Sequence, residues 1–281
     1  MGFKNYIVYE STSEFKSVAL AALKGQWKTV FIIGFIYYLC INLPGVFIDY
    51  FLGVFQHAQE ALNAIVSGMS PEEWVAQYAN SFGVTSNVSL LYTMLVSGSF
   101  ALGLTFIWLN ILRRKPVNTE MVFTGFSYFI QSLLLYVFRT VCIFLWSLLF
   151  FIPGVIAYYR YSMAIFLLAD NPKMNPVEAI RISGLLMKGN KLKLFTLDLS
   201  FIGWVLLTGI VAGIAFSPLM LLFSITTNIG MLIQTLGQTI VLAIAVPFVF
   251  AYRSVALAEF YKRVSAPFYR ELASTSNYSS E

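Results

Sequence analysis

The sequence is 281 residues long, 58% apolar and only 11% charged, with a mean hydropathy of +0.76 and a net charge of +5. That composition leaves too little polar surface for a water-soluble globule, so the chain reads as an integral membrane protein. About six helical crossings of roughly 20 apolar residues fit into it, with no room for a second, soluble domain.

In chain order, the first 28 residues are polar and mixed, unlike a signal peptide, and are expected to be retained. Within them, Ser11 and Glu14 form a capping box, and Phe15, Val18, Ala19 and Ala22 recur at helical spacing. This predicts an amphipathic interfacial helix over 11–28. Continuous apolar runs then predict transmembrane helices at 29–53, 89–112, 127–152, 154–170, 194–216 and 230–252. The stretch Ser127 to Ala169 would reach about 65 Å as one helix, twice the hydrocarbon core, so it must cross twice. Pro153-Gly154 is the expected turning point, with a re-entrant or tilted fourth segment as the alternative.

Between the first two crossings lies an external loop, 54–88, where Ser70-Pro71-Glu72-Glu73 reads as the start of a helix through about Tyr78. Asn175, Pro176 and Gly189 bracket a cytoplasmic helix over 175–188. A tail helix with Leu257, Phe260, Tyr261 and Val264 on one face leads to Pro267 and a Ser-rich, disordered end at 273–281. Residues 1–272 are thus expected to form one all-α, polytopic membrane bundle with amphipathic interfacial helices. Gly209 to Gly213 is a GxxxG, read as a close helix contact.

Charge tests this topology independently. With both termini cytoplasmic, sixteen of the eighteen basic residues, from Lys4 to Arg270, fall on the cytoplasmic side, while the external loop carries Glu60, Glu72 and Glu73. The positive balance is therefore an orientation signal, and no nucleic-acid partner is expected. A single histidine, two isolated cysteines, and no phosphate-binding, dinucleotide or nucleophile-elbow motif argue against a metal, a cofactor and the familiar enzyme classes.

The two remaining basic residues, Arg139 and Arg160, lie inside apolar runs, where a charge costs at least about 2.5 kcal/mol unless paired or wetted. Counting from Pro153-Gly154 places Asp198 near the level of Arg139 and Asp49 near that of Arg160, so the expected pairs are Arg139 with Asp198 and Arg160 with Asp49. Otherwise Arg160 snorkels to the interface among Tyr158, Tyr159 and Tyr161.

The segments PGVIAYYRYSMAIFLLADNP, AIRISGLLMKGNKLKLFTLDLSFIGW and FKSVALAALKGQWK, with LRRKP and VPFVFAYRSVALAEFYKRV, resemble an uncharacterised bacterial integral-membrane family, the domain of unknown function nine-seven-five. A more distant resemblance is to the membrane domain of glycerophosphodiester phosphodiesterases, whose catalytic domain this chain lacks. The family resemblance implies Arg160, Asp170, Asn171, Pro172, Ser183, Met187, Lys188, Gly189, Asp198, Ser200, Gly203 and Trp204 as pattern residues. It implies a bacterial plasma membrane and no assigned activity.

The candidate binding residues are therefore Arg139, Arg160, Asp49, Asp198, Asp170, Asn171, Lys188, Asn190 and Lys191, centred on the cytoplasmic mouth between the fourth and fifth crossings. The leading expectation is binding or moving a small, lipid-like anionic molecule, with membrane lipids and a membrane or cytoplasmic protein as partners. A non-catalytic scaffold or accessory subunit of an envelope or export complex comes second, and a membrane-embedded enzyme third. A binder should show a cavity reaching Arg139 or Arg160. A scaffold should show those arginines sealed in dry ion pairs. An enzyme should place a Ser, Asp or Glu in a lipid-accessible cleft.

Overall fold

The structure, a computed structural model, describes residues 7–222 and 227–278. It is all-α, without a strand among the described residues. The helices are α1 (Thr12–Leu23), α2 (Trp27–Phe51), α3 (Val54–Val66), α4 (Pro71–Leu112), α5 (Phe129–Leu149), α6 (Phe151–Arg160) and α7 (Ala164–Asp170). They are followed by α8 (Pro176–Leu186), α9 (Lys191–Leu199), α10 (Ile202–Leu222) and α11 (Asn228–Tyr278), and a 3-10 helix, Thr119–Tyr128, precedes α5. Six stretches are long and apolar enough to cross a membrane: Trp27–Phe51, Asn87–Leu112, Thr119–Leu149, Phe151–Asp170, Lys191–Pro218 and Asn228–Glu271. The chain is a multi-pass membrane protein.

Packing divides it into two units, one of Met1–Val30, Gly98–Val205 and Phe248–Glu281, the other of Phe31–Ser97 and Leu206–Pro247. In the second unit, Gly34 lets α2 close on α11, since a Cβ there would sit 2.7 Å from the Pro247 side chain. The Tyr92 hydroxyl donates to the Cys40 carbonyl at 2.5 Å. Ser70 and Glu73 cap α4 reciprocally, and the Trp74 indole donates to the Ala61 carbonyl, so these acids serve a helix start as the sequence indicates. The helix does not stop near Tyr78, however: α4 runs unbroken from Pro71 to Leu112, through residues expected as loop.

In the first unit, α1 is shorter than expected, ending at Leu23 before a turn at Gly25, whose φ of +83° favours glycine. Its apolar face packs on protein instead of lying on lipid. Phe15 is fully buried against Phe260, and Arg263 of α11 reaches Glu10 at 2.9 Å, Glu14 at 2.8 Å and Glu259 at 2.8 Å. Glu14 therefore binds Arg263, and of the expected capping box only the Ser11 hydroxyl bond to the Glu14 amide is seen. The last helix continues through Pro267 to Tyr278, over most of the segment expected as a disordered tail. Residues 279–281 and Lys4 lie outside the described residues.

The expected turning point is displaced, and two of the expected spans are interrupted. The reversal after α5 falls at Phe150, in extended conformation, and Pro153 sits in the first turn of α6. Proline is well placed there because a first-turn amide has no intrahelical acceptor to lose. Gly154 instead allows close approach to Ser147 of α5. The fourth span is broken at Tyr161–Met163 and the fifth at Ser200–Phe201. At the latter the Lys16 ammonium donates to the Ser200 carbonyl at 2.8 Å and lies over the Phe201 ring, and burial pulls its pKa below the usual lysine range.

The close helix contact is made elsewhere than at the GxxxG. A Cβ at Gly209 or Gly213 would meet nothing within 4 Å, whereas one at Gly103 would strike the Val122 carbonyl and one at Gly125 the Ser99 and Gly103 backbone. The Ser99 and Ser132 hydroxyls are hydrogen-bonded at 2.9 Å in the same dry seam. Gly125→Leu is expected to lower stability by at least the ~1–3 kcal/mol of an overpacked core, and Gly209→Leu to leave it unchanged, as read from thermal unfolding in detergent.

Candidate functional site

The gap between α6 and α7 leaves backbone groups without helical partners, and a single side chain from α8 takes them up. The Ser183 hydroxyl accepts from the Met163 amide at 3.1 Å and donates to the Arg160 carbonyl at 2.9 Å. Ser183 is fully buried. Non-helical backbone at membrane depth is tolerated only when such partners exist. The break thus fixes α8 against the span and leaves Arg160 as the last residue of α6. Its side chain crosses Gly184, where a Cβ would lie 3.1 Å from Nε, and stands 5.7 Å from the Tyr161 ring.

Two adjoining hollows open beside α6. A cleft of about 530 Å³ is lined by Ile152, Val155, Ile156 and Tyr159 of α6 and by Gly189, Lys191, Leu192 and Phe195 at the start of α9. A second, of about 260 Å³, is lined by Trp146, Pro153, Ile156, Ala157, Arg160 and Lys191. They share Ile156 and Lys191, and among the described residues no carboxylate lines either. The arrangement is an apolar trough with two cations, from different helices, at one part of its wall.

Asp198 does not pair with Arg139. Arg253 of α11 holds it through two bonds, Nε to Oδ1 at 2.9 Å and Nη2 to Oδ2 at 3.0 Å, and the Tyr159 hydroxyl donates to Oδ2 at 3.2 Å. Arg139 lies instead over the Tyr158 ring, 5.4 Å from its centroid. Arg160 and Asp49, the other expected pair, belong to different units: Arg160 has no ion-pair partner among the described residues of its own unit, and Asp49 has a buried Oδ1 with no hydrogen bond. The depth argument failed because it counted from Pro153. From Phe150, Arg139 and Arg160 lie eleven and ten residues away, so both are roughly 15–16 Å along their helices from the reversal.

The remaining candidates separate into scaffold and exposed groups. Asp170 is a hub, taking Arg113 at 2.6 Å on one oxygen and the Tyr261 hydroxyl at 2.8 Å on the other. Asn190 is fully buried, accepting from the Val8 amide and donating to the Leu186 carbonyl, both at 2.9 Å. Both side chains thus hold protein groups on their oxygens. Asn171 caps α7 at an exposed position, and Lys188 is also exposed. Sequence reasoning passed over Arg253, Tyr158 and Tyr159 as site residues, and read Ser183 only as part of a family pattern. Ser183→Ala strands a buried amide and a buried carbonyl, so it is expected to cost about 1–3 kcal/mol and to speed hydrogen exchange of the Met163 amide. Ser183→Thr, which keeps the hydroxyl, should preserve that amide's protection.

No curated protein and no solved structure matches the chain, and nothing found supports the more distant phosphodiesterase resemblance. The family model described as "Protein of unknown function (DUF975)" matches residues 148–267, a stretch that holds α6 through most of α11 and with them the broken spans, the lining of the trough apart from Trp146, and the Asp198–Arg253 pair. Over residues 148–267 the chain is similar to this family, to which no function is assigned.

Proposed function

We propose that the trough beside α6 binds an anionic amphiphile of the bilayer, with Arg160 and Lys191 taking the charged head and Ile152, Val155, Ile156, Leu192 and Phe195 the apolar body. One observation carries this reading: two cations on separate helices line one cavity with no carboxylate among the described residues of its lining, and that cavity shares Ile156 and Lys191 with an apolar cleft. A bilayer charge without a protein partner marks a ligand pathway more often than it marks architecture. An apolar pocket with few convergent polar groups is the common form of a small-molecule site. The cavity reaching Arg160 favours a binder over a scaffold, which would seal that side chain in an ion pair. No Ser, Asp or Glu lines either hollow, so the trough offers no side chain of the kind an embedded hydrolase would place there.

The setting proposed is a bacterial plasma membrane with both termini cytoplasmic, supported by the one-sided distribution of lysine and arginine. Dodecyl phosphate is a suitable probe. Arg160→Gln and Lys191→Gln should each weaken its binding by roughly tenfold or more, the scale of one lost charge-assisted hydrogen bond, as measured by native mass spectrometry in a non-ionic detergent. Dodecanol should bind weakly to all three proteins. Equal binding of dodecyl phosphate to wild type and both variants would contradict the assignment.

A further inference from the structure

The membrane-spanning part of the first unit holds a second group of charges that the trough does not use. Arg139 on α5, Arg253 on α11 and Asp198 on α9 converge around Tyr158 and Tyr159. The Tyr158 ring meets the Tyr159 ring edge-on at 5.2 Å between centroids, which joins the Arg139 guanidinium to the Tyr159–Asp198–Arg253 group. Asp198 is the one carboxylate in this group, and Arg253 and Tyr159 already occupy both of its oxygens. Arg139 has no carboxylate partner among the described residues. The group therefore holds two guanidinium charges against a single carboxylate, and the surplus lies within a stretch of α5 whose neighbours, Phe138, Thr140 and Val141, are exposed to the bilayer. A net charge there is costly unless compensated.

We propose that Arg139, with Arg253 and the Tyr158 hydroxyl, forms a site for a carboxylate. A planar guanidinium matches a carboxylate with two parallel hydrogen bonds, and one added carboxylate would bring the group to neutrality. The site is separate from the trough, because neither hollow includes Arg139 or Arg253, and it stands whether or not the trough binds an amphiphile. The carboxylate could belong to a fatty acid entering from the lipid or to a small acid entering from water.

The test is binding of dodecanoate and of acetate to the full chain in a non-ionic detergent, read as a concentration-dependent rise in the thermal unfolding midpoint, with dodecanol as the uncharged control. Wild type should respond to dodecanoate and not to dodecanol. Arg139→Gln should weaken the response roughly tenfold or more, and Arg139→Lys, which keeps the charge, by less. Because dodecanoate is itself an anionic amphiphile, the comparison is repeated on an Arg160→Gln background that removes the trough's head-group contact, and the loss caused by Arg139→Gln should persist there, which separates this site from the trough. Asp198→Asn gives the opposite sign: with the internal carboxylate neutralised, dodecanoate should bind more tightly than to wild type. A response to acetate would identify an aqueous source, and a response to dodecanoate alone a membrane one. Equal responses of wild type and Arg139→Gln, or of dodecanoate and dodecanol, would overturn the proposal.

Discussion

Inside a bilayer every backbone hydrogen-bonding group must find its partner within the protein. Here the fourth span breaks at Tyr161–Met163, and one hydroxyl answers both strands of the break. Ser183 accepts from the Met163 amide and donates to the Arg160 carbonyl, so α8 is tied to the span at its interruption. Much else in the first unit follows from that tie. It brings Gly184 under the Arg160 side chain, places Arg160 at the end of α6, and sets α9 to begin beside the same helix face. The fifth span has a smaller interruption, and there Lys16 supplies the missing donor to the Ser200 carbonyl.

The same unit shows two treatments of charge. Some ionic groups are closed: Asp170 with Arg113 and Tyr261, Asp198 with Arg253 and Tyr159, and Arg263 with three glutamates. Breaking a closed group by removing one partner strands the other, so these sites are costly to alter. Arg160, Lys191 and Arg139 are of the other kind, without a carboxylate among the described residues. The contrast within one fold separates architecture from binding surface more sharply than either set of residues could alone.

The membrane class and the number of long apolar spans were legible in the sequence, because hydropathy and bilayer thickness act on whole segments. Asn175 with Pro176 and the left-handed Gly189 mark α8 as the sequence indicates, since capping is local. What could not be read was pairing between distant positions. The segment RYSM contains neither proline nor glycine, so nothing local announces the break, and its partner Ser183 is about twenty residues on. Arg253 escaped notice because α11 continues without interruption for 51 residues, and the first charge after an apolar run looks like the membrane exit. Once Arg253 takes Asp198, the expected Arg139 pair is lost. The shift of the reversal from Pro153 to Phe150 removed the depth argument for both proposed pairs. Asn190 looked like a turn residue open to ligand, and is instead the buried tie to the Val8 amide.

The central claim is that the unsealed cations beside the broken span make a place for an anionic amphiphile. The most direct measurement is photocrosslinking with a diazirine-bearing alkyl phosphate in zwitterionic nanodiscs, followed by mapping of the labelled peptides. The account predicts labelling concentrated on residues 152–160 of α6 and 189–195 at the start of α9, displaced by unlabelled dodecyl phosphate and not by dodecanol. Label spread evenly over the lipid-facing residues of α5 and α10, with no competition, would contradict it.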